Sequence, residues 1–162
     1  MSEKKLMLID GNSLLFRAFY ALPLLHNREG VYTNGVYGFL TMFNRVTVSE
    51  QPSHIVVAFD MDRKTFRSEV YDAYKANRST PPEELQGQFQ LLRDVLTALN
   101  VHYIEVPGYE ADDIIGTLSK QAEDENLDCL IVTGDGDALQ LVSERVQVLM
   151  TKKGITEMQI YN

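Results

Sequence analysis

Three short apolar runs in this chain end on an aspartate, and each is separated from the next by segments with helical periodicity. The runs are Lys5-Leu-Met-Leu-Ile-Asp10, Ile55-Val-Val-Ala-Phe-Asp60 and Leu127-Asp-Cys-Leu-Ile-Val-Thr133, the last followed by Gly134-Asp135. Continuous apolar runs of this length read as strands buried on both faces. The stretches between them carry apolar residues three and four apart. Val36, Phe39, Leu40, Phe43 and Val46 define a helix over Asn34 to Val48. Leu85, Phe89, Leu92, Val95, Leu96 and Leu99 define another, opened at Thr80 or Pro81, with Glu83 and Glu84 suiting its positive end. Further helices are predicted from a Ser13 cap to before Pro23, over Glu110 to Glu123, and briefly over Ala138 to Val142. Val101 to Val106 and Val146 to Met150 complete the strands, and Thr151 to Met158 reads as a hairpin turn. Leu24 to Thr33 is a surface loop, and Met61 to Pro82 a partly helical, mobile excursion. Alternating strands and helices predict an α/β fold: a mostly parallel central sheet with helices on both faces.

The chain has 162 residues, 44% hydrophobic and 23% charged, which is the size and composition of one globular domain over 1–162. Its single cysteine, Cys129, excludes an internal disulfide framework and a Cys-rich zinc module, and inside a strand it is read as packing. The apolar stretch before Asp10 is too short for a signal peptide or a membrane span, so a soluble, cytoplasmic protein is expected. There is no GxxxxGK[ST], and Leu139 occupies the place of the third glycine in a dinucleotide fingerprint, so neither nucleotide motif is present. His26, His54 and His102 have no partners at metal-ligand spacing.

In open parallel sheets, ligands bind beyond the carboxyl ends of the strands. Asp10, Asp60 and Asp135 sit at such ends, Asp137 follows closely, and Glu110, Asp112 and Asp113 open the helix after the third strand. Removing these seven acids from a net charge of −8 leaves −1, so most of the excess acidity gathers at one edge. Hard divalent cations take oxygen ligands, and paired ions need several carboxylates to balance them. Spacing i, i+2 in extended backbone would aim Asp135 and Asp137 to one side, and i, i+3 places Glu110 and Asp113 on one helix face. Asp112 is expected to point away and play only a supporting part. Each acid also has a bland reading as a turn former, cap or dipole complement.

The excursion between the second strand and the next long helix has the opposite character. Residues 63–78 hold Arg63, Lys64, Arg67, Lys75 and Arg78 against Glu69 and Asp72, a local charge of +3. Phe66, Tyr71 and Tyr74 are interleaved among them. Such a segment can pair with phosphates and stack on unpaired bases. Its bland reading is a solvated amphipathic helix.

Leu-Ile-Asp10-Gly-Asn-Ser-Leu-Leu-Phe-Arg17-Ala-Phe, Ala-Phe-Asp60, Tyr74-Lys-Ala-Asn-Arg78, Gly108-Tyr-Glu-Ala-Asp-Asp113 and Thr133-Gly-Asp-Gly-Asp137 occur in this order. Together they resemble the 5′-nuclease domain at the N-terminus of bacterial DNA polymerase I, in the flap-endonuclease group of PIN-like nucleases. The resemblance implies a Mg2+- or Mn2+-dependent 5′-3′ exonuclease or flap endonuclease acting on 5′ ends of DNA in replication and repair. It places Asp10, Asp60, Glu110, Asp112, Asp113, Asp135 and Asp137 on the family's metal-binding positions. It implies that Phe16 stacks near the scissile nucleotide and that Arg17 contacts phosphate. Residues 62–84 would form a helical arch in which Lys75 and Arg78 contact the phosphate being cut, assisted by Tyr74, with Arg63, Lys64 and Arg67 on the DNA. Gly136 departs from the usual basic residue there, and Ala138 from a larger one. The family continues past this point with further metal-binding aspartates, a duplex-gripping helix-hairpin motif and, in the parent protein, a polymerase. The second metal site is therefore expected to be incomplete here. Two alternatives stand beside this reading: a catalytically weak DNA-binding fragment, and a PIN-like ribonuclease.

Overall fold

The structure is a computed structural model that describes residues 4–60, 82–153 and 157–162. The elements run β1 (Lys5–Asp10), α1 (Gly11–Ala21), α2 (Asn34–Glu50), β2 (His54–Ala58), α3 (Glu83–Ala98), β3 (His102–Ile104), α4 (Ala111–Asp124) and β4 (Asp128–Thr133). A 3-10 helix (Gly136–Leu141), β5 (Val146–Lys153) and β6 (Glu157–Tyr161) follow. One six-stranded sheet has the order β3-β2-β1-β4-β5-β6. The first five strands are mutually parallel, and β6 returns antiparallel to β5, with Lys153 opposite Glu157. The expected reversal near the C-terminus is therefore present.

Side-chain alternation along β1 divides the core between the two faces of the sheet. Met7 and Ile9 pack with Leu14, Leu15, Phe39, Leu85, Leu92 and Leu96 from α1, α2 and α3. Leu8, between them in sequence, packs on the other face with Ile114, Ile115 and Ala122 of α4. Helices thus cover both faces, as the apolar runs require. Cys129 is buried in the second cluster, and burial pushes its thiol up to about 12, which leaves it an inert packing group.

The connections place the two halves of the chain on either side of β1. From β1 the order steps outward through β2 to β3, then crosses back so that β4 lies on β1's other flank. The switch point falls between the carboxyl ends of β1 and β4, the place where ligands bind in open α/β sheets.

Several boundaries differ from the sequence reading for local reasons. Asp10, rather than Ser13, caps α1, its Oδ1 accepting the Ser13 N–H at 3.1 Å. β2 stops at Ala58, and Asp60 lies two residues past it. Gly11 is required at the start of α1 because a Cβ there would come within 2.5 Å of the Phe59 ring. A buried amide pair joins the helices: Gln88 Nε2 donates to Asn34 Oδ1 at 3.0 Å, and Gln88 Oε1 accepts the Val36 N–H at 3.0 Å. Arg63, Lys64, Arg67, Tyr74, Lys75 and Arg78 lie outside the described residues. Of the expected arch, only Pro82, Glu83 and Glu84 are described, as the cap and first turn of α3.

Candidate metal centre

Asp10 ends β1 almost fully buried, at 3% exposure. A carboxylate there survives only with hydrogen-bond donors around it. Ser13 N–H serves Oδ1, and the Thr133 hydroxyl donates to Oδ2 at 3.2 Å. Thr133 Oγ1 in turn accepts the Asp135 N–H at 3.0 Å and stands 3.2 Å from Ser13 Oγ, which accepts the Gly134 N–H at 3.1 Å. The Ser13 side chain also serves Asp10, so the two hydroxyls and the carboxylate form one chain of bonds. It stitches the end of β1 to the loop after β4.

Asp60 reaches the same edge from β2. Its Oδ1 accepts the Ala111 N–H at 2.6 Å, at the first turn of α4. There Glu110 and Asp113 form a reciprocal capping box, in which the Glu110 N–H donates to Asp113 Oδ2 at 2.9 Å. Glu110 therefore lies just outside the helix as its extended cap, rather than on a helix face with Asp113, and the i, i+3 pair engages itself to close the helix end.

Among the described residues, Asp112, Asp135 and Asp137 gather with one carboxylate oxygen from each within 4.8 Å of the others. This corrects two expectations. Asp112 turns into the cluster, because Glu110 and Asp113 are occupied in capping and the residue between them faces the sheet edge. Asp135 and Asp137 converge through a tight turn rather than extended backbone: Asp135 caps the 3-10 helix, its Oδ1 accepting the Asp137 N–H at 2.9 Å.

Electrostatics link these acids into one field. Burial pushes the Asp10 carboxyl up to about 6, with the Asp60 charge adding and the Ser13 and Thr133 hydrogen bonds opposing. Asp112 is pushed up to about 7, first by burial, then by Asp10, Asp135, Asp60 and Glu110. A carboxylate burdened by four others belongs to a cluster that gains by taking up positive charge. The donors are all hard oxygens, close enough to share one ion, which suits a divalent cation of the Mg2+ class rather than a soft metal.

Arg17 borders this centre from α1, and Phe16 precedes it on the same helix. Arg17 Nη2 donates to the Gly134 carbonyl at 3.2 Å, which holds the guanidinium against the acidic loop. Phe16 is 47% exposed and lies 4.8 Å, centroid to centroid, from Tyr20, itself 58% exposed. Sequence reasoning did not single out Tyr20, although its i, i+4 spacing from Phe16 was the available signal. Thr133 and Ser13 were likewise missed as supports, since their role depends on a contact across 120 residues.

Residues 5–162 match the family model described as the 5′-3′ exonuclease, N-terminal resolvase-like domain. The chain belongs to this family. It is 50% identical over 159 residues to DNA polymerase I of Bacillus caldotenax, covering 98% of this chain and 18% of that protein. DNA polymerase I of Mycobacterium leprae is 54% identical over 159 residues, covering 97% and 18%. The chain thus spans about a fifth of the length of the curated relatives it matches. Among solved structures, the 5′-exonuclease of bacteriophage T5 with divalent zinc ions bound superposes with a TM-score of 0.67 at 23% identity, over 98% of this chain and 58% of that one. The catalytic core of Rad2 in complex with DNA substrate gives 0.56 at 15% identity, over 99% and 48%. The mostly parallel sheet with helices on both faces is the fold this chain shares with these structures. Among the described residues no helix is long and apolar enough to cross a membrane.

Proposed function

We propose that this chain hydrolyses phosphodiester bonds at 5′ ends and 5′ flaps of DNA, as the nuclease unit of a DNA polymerase I-like protein working in the bacterial cytoplasm at the nucleoid. The observation that carries this reading is the convergence of Asp112, Asp135 and Asp137 beside buried Asp10, in a chain of the 5′-3′ exonuclease family. The T5 neighbour, solved with divalent metal ions, supports it. Asp10, Asp60, Glu110, Asp112, Asp113, Asp135 and Asp137 would hold Mg2+ or Mn2+. Bound there, the ions would supply an activated water and offset charge on the attacking and leaving oxygens.

The remaining work belongs to the chain's own groups. Thr133 and Ser13 keep Asp10 in register with the Asp135 loop, so the carboxylates stay aimed without reorganising. Arg17, tethered to the Gly134 carbonyl, presents its fork beside the acidic edge, where a phosphate would sit. Phe16 offers an exposed ring for the terminal base. Lys75 and Arg78, with Tyr74 beside them, would grip the phosphate being cut, and Arg63, Lys64 and Arg67 would track the strand.

The test is cleavage of a labelled 5′-flap DNA by the chain, with Mg2+, with Mn2+ and with chelator, beside the same flap in RNA. Metal-dependent release of the DNA flap, lost in Asp112→Asn and Asp135→Asn, supports the proposal. Cleavage of the RNA flap in preference to the DNA flap would favour a ribonuclease, and metal-dependent DNA binding without cleavage would leave a binding unit.

A further inference from the structure

Asp60 lies beyond its strand, yet its backbone is held on both sides. Its N–H donates to Asn12 Oδ1 at 2.9 Å, and its carbonyl accepts Arg93 Nη2 at 3.1 Å. Arg93 comes from the inward face of α3, beside Leu85, Leu92 and Leu96, and is only 9% exposed. The same Nη2 donates to Glu105 Oε2 at 3.2 Å, and the guanidinium carbon lies 4.4 Å over the centre of the Phe59 ring. That ring is the one that fills the space beside Gly11, immediately after Asp10. Arg93 Nε is buried with no hydrogen-bond partner among the described residues.

A cation on an apolar helix stripe, with one nitrogen left unpaired, is a poor device for stability, because an apolar side chain of similar volume usually does as well or better. Its contacts share a different property. Beyond the ion pair with Glu105, they converge on Phe59 and Asp60, the two residues that carry the chain from β2 to the acidic edge.

We infer that Arg93 is a positioning residue for the metal centre, fixing the Asp60 carboxylate through the Asp60 carbonyl and the Phe59 ring. The inference rests on the proposed role of Asp60 as a metal ligand. Lysine replaces it only in part, since an ammonium can serve the two acceptors that Nη2 serves but lacks the planar face that lies on Phe59.

The experiment is Mn2+ titration calorimetry on the 162-residue chain and on Arg93→Met, Arg93→Lys and Asp60→Asn, with metal-free melting recorded for each. Removing a positive charge should by Coulomb's law alone tighten cation binding. A positioning role requires the opposite: Mn2+ affinity about 10-fold weaker in Arg93→Met, in the range found when groups behind metal ligands are removed. Arg93→Lys should fall between that variant and the parent. It carries the test if Arg93→Met does not fold. Unchanged or tighter Mn2+ binding in the folded variants, with Asp60→Asn weakened, overturns the role of Arg93 and leaves the metal site standing. Unchanged binding in Asp60→Asn as well removes the ligand reading of Asp60, and the role of Arg93 with it.

Discussion

The Thr133 hydroxyl donates to Asp10 Oδ2 at 3.2 Å while accepting the Asp135 N–H at 3.0 Å, so one side chain joins the most buried acid of the site to one of its most solvent-facing loops. Thr133→Val keeps the β-branched shape suited to β4 but strands both partners. The cost should be about 1–3 kcal/mol in denaturant unfolding, the range for a buried group left unpaired. Thr133→Ser, which keeps the hydroxyl, should recover most of it. A Val variant as stable as the parent would show that the hydroxyl bridges nothing of consequence.

Neighbouring aspartates on α4 should separate cleanly. Asp113→Ala breaks the capping box with Glu110 and should lower metal-free stability by about 1 kcal/mol. Asp112→Ala removes a carboxylate that four others repel, so metal-free stability should hold or rise while Mn2+ affinity falls. Thermal melts and calorimetry on the two variants give the comparison. A matching loss of stability in both would contradict the division of labour.

Stability should also depend on pH in a definite direction. Asp10 and Asp112 are raised to about 6 and about 7, from 3.8. Between about pH 4 and 7 the folded chain therefore binds more protons than the unfolded one, and metal-free stability falls as pH rises through that window. For Asp10 the full cost above its folded pKa is about 3 kcal/mol, at 1.36 kcal/mol per unit. It disappears below the unfolded pKa, where both states are protonated. Asp10→Asn, which still offers Oδ1 to the Ser13 N–H, should melt higher than the parent at pH 8 and alike near pH 4. Saturating Mg2+ should flatten the profile, because ion binding favours the ionised acids. A metal-free parent that gains stability between pH 5 and 7 would refute the assignment.

The basic segment can be tested through salt. Lys75→Ala with Arg78→Ala should weaken binding of single-stranded DNA and reduce the slope of log K against log salt by roughly 0.7 for each phosphate no longer neutralised. Fluorescence anisotropy across a salt series measures it. Identical slopes would make the segment a solvated face.

The sheet was legible because its signals are local. The runs ending at Asp10 and Thr133 are the strands the structure contains, and the helical stripes through Phe39 and Leu92 face the core. Which acid points where was not legible. Asp112 and Asp113 are adjacent and chemically alike, and only the capping of Glu110 decides that one closes the helix and the other enters the cluster. Ser13 looked like a cap because Asp10, three residues earlier, can fill the same role. Arg93 was invisible for a different reason. A charged residue on an apolar stripe reads as a solvated edge until Phe59 and Glu105, from other elements, are seen to enclose it.

The bond between Ser13 and Thr133 spans 120 positions of the chain. Asp10 ends the first strand, yet the hydroxyl that orients it belongs to the last residue of the fourth, so the acid and its support are separated by most of the sheet. No early fragment can therefore display a working arrangement of carboxylates. Placing these acids on the seam between β1 and β4 makes their arrangement a property of the finished sheet alone.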